Sequence, residues 1–107
     1  MIRANNIFKS YKKNEVLKGV DFICEKGKIQ ALLGANGAGK STLINILSGI
    51  IEQDSGGFNI DNEEITINSY KYRNKVGYVF ENPIYIEKFS AYEYFEFVAR
   101  MYKIPKN

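Results

Sequence analysis

The sequence predicts an α/β fold, an antiparallel β subdomain followed by part of a parallel sheet. Three observations predict it. Two short runs rich in Ile, Val and Phe, Ile2 to Tyr11 and Val16 to Cys24, flank the polar stretch Lys12-Lys13-Asn14, the pattern of two antiparallel strands joined by a turn. The nearly unbroken apolar run Ile29-Gln30-Ala31-Leu32-Leu33 has the character of a strand buried on both faces. Between that run and a segment of helical spacing, Leu43, Ile46, Leu47 and Ile50, lies a glycine-rich loop, which gives strand, loop and helix in succession.

The remaining elements follow in order. Lys26-Gly27 is a turn signal before the Ile29 strand, and Gly49 stands where the helix from Lys40 would stop. Asp54-Ser55-Gly56-Gly57 reads as a turn, with a weak strand around Phe58 to Ile60 and a second around Ile65 to Ile67. Val76-Gly77-Tyr78-Val79-Phe80 reads as another buried strand, and Pro83 takes the chain out of regular structure into a loop, Glu81 to Phe89. Ser90 and Glu93 form a capping box for a helix running to about Tyr102, stopped by Pro105. On that helix Ala91, Phe95, Val98 and Tyr102 share a face, widened by Phe97 and Met101, and the expectation is a core stripe.

Composition narrows the function. With 107 residues, 45% hydrophobic and 25% charged, the chain suits one core without a second module. A net charge of +3, from 15 basic and 12 acidic residues scattered along the chain, is too small to argue for nucleic acid. Lys12-Lys13 reads as a solvated loop. The lone Cys24 lies in an apolar run, where a small buried hydrophobe is the usual explanation. Without histidine and with one cysteine, neither a zinc cluster nor a histidine-based triad can be built. No run approaches the ~20 apolar residues of a membrane span, and the N-terminus lacks a signal-peptide core; the expectation is a cytoplasmic protein.

The loop Gly34-Ala35-Asn36-Gly37-Ala38-Gly39-Lys40-Ser41 has the Walker A spacing of a triphosphate site. Glycines let the backbone take positive φ and approach phosphate oxygens, so that successive amides point inward as an anion nest. The loop empties into a helix N-terminus, whose unpaired amides favour an anion by ~0.3 to 2 kcal/mol. Lys40 adds a full charge and is expected to bridge the β and γ phosphates. The Ser41 hydroxyl would join the shell of a Mg²⁺ ion, and Thr42 would donate to the α phosphate. MgATP is the expected ligand.

Spelled Gly34-Ala35-Asn36-Gly37-Ala38-Gly39-Lys40-Ser41-Thr42-Leu43, the loop resembles the Walker A segment of ATP-binding cassette (ABC) ATPases. Leu17 to Phe22 and Glu25 to Leu33 are similar to that family's lead-in, and Leu47-Ser48-Gly49 with Asp54-Ser55-Gly56 to its run-out. Ala35 stands where proline is common. Val76 to Pro83 and Phe89 to Ala99 resemble the Q-loop and the start of the helical subdomain, with Glu81 in place of the loop's glutamine, as in some exporter-type members. The resemblance implies a P-loop NTPase fold of the ABC ATPase type over residues 1–107, truncated before the Walker B strand. The Leu-Ser-Gly-Gly-Gln signature, the Walker B carboxylates and the switch histidine would then lie past Asn107.

The resemblance further implies an ATPase that couples ATP binding and hydrolysis to transport, with the 107 residues alone inactive and unstable or prone to associate. It gives Tyr11 the adenine-stacking position with Val16 as apolar neighbour. Glu81 takes a part in catalysis beside Lys40, with a plain surface carboxylate as the alternative. A transmembrane permease would meet the segment Asn82 to Phe89, and an ATPase partner would complete a dimer on the cytoplasmic face of the membrane. The alternatives are a soluble ABC ATPase of translation or DNA repair and, less favoured, a phosphate-loop kinase, whose loop usually follows the first strand.

Overall fold

A computed structural model describes residues 1–35, 39–66, 69–82 and 86–105 in two compact units, Met1–Gly77 and Tyr78–Asn107. In the first unit, β1 (Ile2–Tyr11) and β2 (Asn14–Cys24) form a hairpin with Ile2 opposite Cys24 and Tyr11 opposite Asn14. The turn is tighter than the sequence suggests: Lys12 and Lys13 alone make it, with Lys12 at φ 57. After α1 (Lys40–Leu47), β3 (Ser55–Ile60) pairs with the other side of β1, and β4 (Glu63–Ile65) pairs with β3. The sheet is antiparallel throughout, in the order β2-β1-β3-β4.

One face of this sheet makes the core. Strict alternation would put Ala4 and Ile7 on opposite faces, but the register shift between them inserts a residue and turns both inward. Leu17, Phe58, Ile60 and Ile65 join them from the other strands, Leu43 and Ile46 from α1, and Tyr72 from a 3₁₀ segment, Tyr70–Lys75, that sequence patterning does not foresee. Burying each large aliphatic side chain contributes roughly 1.5–3 kcal/mol. The Tyr72 ring meets Phe58 edge to face at 6.4 Å.

α1 ends at Leu47, one turn short of Ile50. Ser48 caps it, and Gly49 follows at φ 76, a left-handed conformation that a side chain would strain. The Gly49 amide donates to the Ile46 carbonyl at 3.0 Å and the Ile50 amide to Asn45 at 2.9 Å, the two bonds of a Schellman motif. The expected stop at Gly49 is therefore physical.

Several expectations are corrected. Pairing of β3 begins at Ser55, inside the expected turn, because the Asp54 amide already donates to the Phe8 carbonyl at 2.8 Å. The strand expected at Ile65 to Ile67 lies earlier, at Glu63–Ile65, and Ile67 is outside the described residues. Ile29 to Leu33 and Val76 to Phe80 are not strands: Ile29 is 103% exposed, Leu33 90% and Val79 85%. A parallel strand is held by ladders to neighbours that crossover connections bring from elsewhere in the chain, and among the described residues no strand pairs with either run. Cys24 is half-buried and its thiol lies 3.8 Å from the Glu25 carbonyl and 3.9 Å from that of Lys28.

In the second unit α2 (Ala91–Met101) opens with the expected capping box: the Glu93 amide donates to Ser90 Oγ at 3.3 Å and the Ser90 amide to Glu93 Oε2 at 2.8 Å. Its end is a second Schellman motif, with Ile104 donating to Ala99 and Lys103 to Arg100 around Lys103 at φ 54. The expected core stripe is contradicted, since no residue of α2 is buried and Phe95 is 67% exposed. A unit of thirty residues, Tyr78–Asn107, has too little chain to cover an amphipathic face. Pro83 lies outside the described residues.

Candidate functional site

The loop is described at Gly34, Ala35 and Gly39 to Thr42; Asn36, Gly37 and Ala38 lie outside the described residues. Gly39 is the N-cap of α1 at φ 93 and is buried. A Cβ there would come within 2.6 Å of Leu17 Cδ2, 3.1 Å of the Val16 carbonyl oxygen and 3.2 Å of Val16 Cγ1. The last glycine of the loop is thus pressed against β2, and that contact fixes where α1 begins. Val16 is half-buried and also packs on the core.

Lys40 is the first residue of α1, and its ammonium folds back to donate to the Gly34 carbonyl, spanning the loop from end to beginning. No side chain caps the helix at Gly39 and no acidic residue occupies its first turn. Among the described residues the first amide of α1 to bond back is that of Leu43, to the Gly39 carbonyl at 2.9 Å. Helix start, partial positive charge of the amides and lysine therefore act in one direction, toward an anion. Ser41 is exposed and Thr42 half-buried.

Tyr11 closes β1 at the hairpin tip and is 47% exposed, with Lys9 Nζ 5.6 Å from its ring centroid. Glu81 is exposed and belongs to the second unit, as do Asn82 and residues 86–89, also exposed. The structure brings Val16, Gly34, Gly39 and Lys40 together. What the sequence does not signal is the grip on Tyr11's strand: Lys9 donates to Asp54 Oδ1 at 3.1 Å and the Ser10 amide to Asp54 Oδ2 at 2.7 Å. These bonds hold the Asp54 carboxyl below its ordinary pKa, the Ser10 amide first and Lys9 second. Asp54 reads as a turn residue until β3 is seen to lie beside β1.

Sheet, loop and helix together define a phosphate-loop protein. The chain belongs to the ABC transporter family, whose model matches residues 17–107. It is similar to the linearmycin resistance ATP-binding protein LnrL of Bacillus subtilis (strain 168), 37% identical over 95% of this chain and 33% of that protein. It is also similar to the lantibiotic transport ATP-binding protein SrtF of Streptococcus pyogenes, 34% identical over 100% of this chain and 45% of that one. Among solved structures it resembles the ATP binding subunit of an ABC transporter, at TM-score 0.88 and 28% identity over 99% of this chain and 44% of that one. A dimeric bacterial ABC transporter cassette matches at TM-score 0.84 and 28% identity, over 100% of this chain and 50% of that one. The chain thus spans a third to a half of the length of these relatives.

Proposed function

We propose that the chain is the ATP-binding portion of an ABC transporter ATPase subunit, holding MgATP through Gly34 to Thr42. The observation that carries this reading is the Lys40 ammonium donating to the Gly34 carbonyl. A cation lodged across the loop's own mouth would exchange that carbonyl for the β and γ phosphate oxygens of a nucleotide. Ser41, exposed on the first turn of α1, suits a Mg²⁺ ion that draws most of its ligands from phosphates and water. Among the described residues no group of three His, Cys, Asp or Glu side chains gathers to hold an ion independently. Bound Mg²⁺ would neutralise phosphate charge.

In this reading Tyr11 stacks on adenine beside Val16, and Glu81 takes the place of the glutamine that meets the attacking water. The names of LnrL and SrtF support ATP binding linked to resistance or transport, and the dimeric cassette supports an ATPase dimer. A transmembrane permease would dock on the segment 82–89 at the cytoplasmic face. Among the described residues no helix is long and apolar enough to cross a membrane.

In the complete protein, Lys40→Ala is expected to abolish binding of ATP and of inorganic triphosphate alike. Tyr11→Ala is expected to cost ~1 to 3 kcal/mol of ATP affinity and to leave triphosphate affinity unchanged. Equilibrium competition between the two ligands measures both. Retention of triphosphate by Lys40→Ala would remove the phosphate-loop reading.

A further inference from the structure

Lys9 and Asp54 have no part in the binding scheme above, yet they hold the residue that it assigns to the base. Lys9 Nζ lies over the Tyr11 ring at 5.6 Å from its centroid. Its ammonium is tethered by Asp54 Oδ1 at 3.1 Å, and the Lys9 side chain is only 18% exposed. Asp54 is itself fixed at three points: its amide donates to the Phe8 carbonyl at 2.8 Å, Oδ2 accepts the Ser10 amide at 2.7 Å, and Oδ1 accepts Lys9. One aspartate therefore grips the three residues that immediately precede Tyr11. The tyrosine is left 47% exposed with a cation against its ring.

An aromatic ring offers two faces, and an ammonium held over one of them is attracted by the ring's negative π cloud. A base can then stack only on the other, and the contact also restricts the rotamers of Tyr11 before any ligand arrives. We propose that Lys9, clamped by Asp54, is a positioning and specificity-determining residue for the nucleobase: it seats Tyr11 and leaves a single face for stacking. The inference rests on the reading of Tyr11 as the base platform. Lys9 acts through the ring and makes no contact with phosphate.

The test uses the complete protein with Mg²⁺ and compares affinities for ATP and inorganic triphosphate. Lys9→Met and Asp54→Asn are each expected to weaken ATP binding about two- to fivefold, with triphosphate binding unchanged, which also reports an intact loop. Lys9→Arg keeps the cation and the ion pair and is expected to restore ATP affinity. In a Tyr11→Ala background, Lys9→Met should change nothing further. Equal weakening of both ligands by Lys9→Met would overturn the proposal by showing a charge effect on phosphate, and so would an undiminished effect without Tyr11. If Tyr11→Ala loses the preference for ATP over triphosphate while Lys9→Met keeps it, the Lys9 inference falls alone. If Tyr11→Ala keeps the preference, the base-platform reading falls and takes the inference with it.

Discussion

At the scale of single residues, the tightest fit in the described structure is between Gly49 and Tyr72. The Tyr72 hydroxyl occupies the place where a Cβ on residue 49 would sit, and Gly49 has φ 76. Among the described residues the hydroxyl is buried without a protein partner. Gly49→Ala must therefore both adopt a left-handed backbone, at ~1 to 2 kcal/mol, and displace a buried ring. The expected result is a loss of more than ~2 kcal/mol in urea unfolding, of which a Gly49→Ala, Tyr72→Phe double variant recovers only part, because the left-handed backbone and the Tyr72 Cζ, 2.7 Å from the added Cβ, both remain. The sequence shows half of this. Gly49 announces itself by following the last apolar residue of a helical pattern, whereas Tyr72 sits in a polar, basic stretch, Tyr70 to Lys75, whose 3₁₀ geometry no periodicity marks.

At the scale of elements, legibility followed the range of the interactions. α1 and the capping box of α2 depend on contacts within a few residues and the β1–β2 hairpin on a two-residue turn between adjacent runs, and their signals survive in the sequence. Asp54 and the strand after it depend on β1, roughly 44 to 58 positions away, so a local reading takes Ser55-Gly56-Gly57 for a turn. The candidate phosphate loop stands out in the sequence for the same reason as α1, because the proposed task would fall to consecutive amides and a neighbouring lysine. The capping box gives a test. At eleven residues α2 is short enough to be marginal by itself, so Ser90→Ala should remove ~1 kcal/mol of helix stability and raise the amide exchange of residues 91–96. The Ser90 backbone amide, then its side chain, hold Glu93 below the ordinary carboxylate pKa. A depressed folded-state pKa means that Glu93 supports the helix above its unfolded pKa, ~4.3, and ceases to as pH falls through the folded value. Glu93→Gln should accordingly reduce the acid sensitivity of α2, measured by circular dichroism between neutral pH and pH 3.

At the scale of the whole molecule, the two apolar runs explain what the sequence could promise and the fold could not deliver alone. Ile29 to Leu33 and Val76 to Phe80 carry the composition of central strands, yet Ile29, Leu33 and Val79 stand almost wholly exposed. Burial of a strand on both sides is a property of its neighbours, and these lie outside the ladders of β1 to β4. Backbone amides of residues 29–33 should exchange within seconds to minutes in the 107-residue chain and be protected in the complete protein, as hydrogen exchange with mass spectrometry would show. Protection in the short chain would contradict this account.

The bare apolar run from Ile29 to Leu33 has a consequence for biosynthesis. A ribosome releases a chain from its N-terminus, so a nascent polypeptide would hold Ile29 and Leu33 in water for as long as no neighbouring strand pairs with them. Slowing translation downstream should lengthen that interval and increase capture by ribosome-associated chaperones.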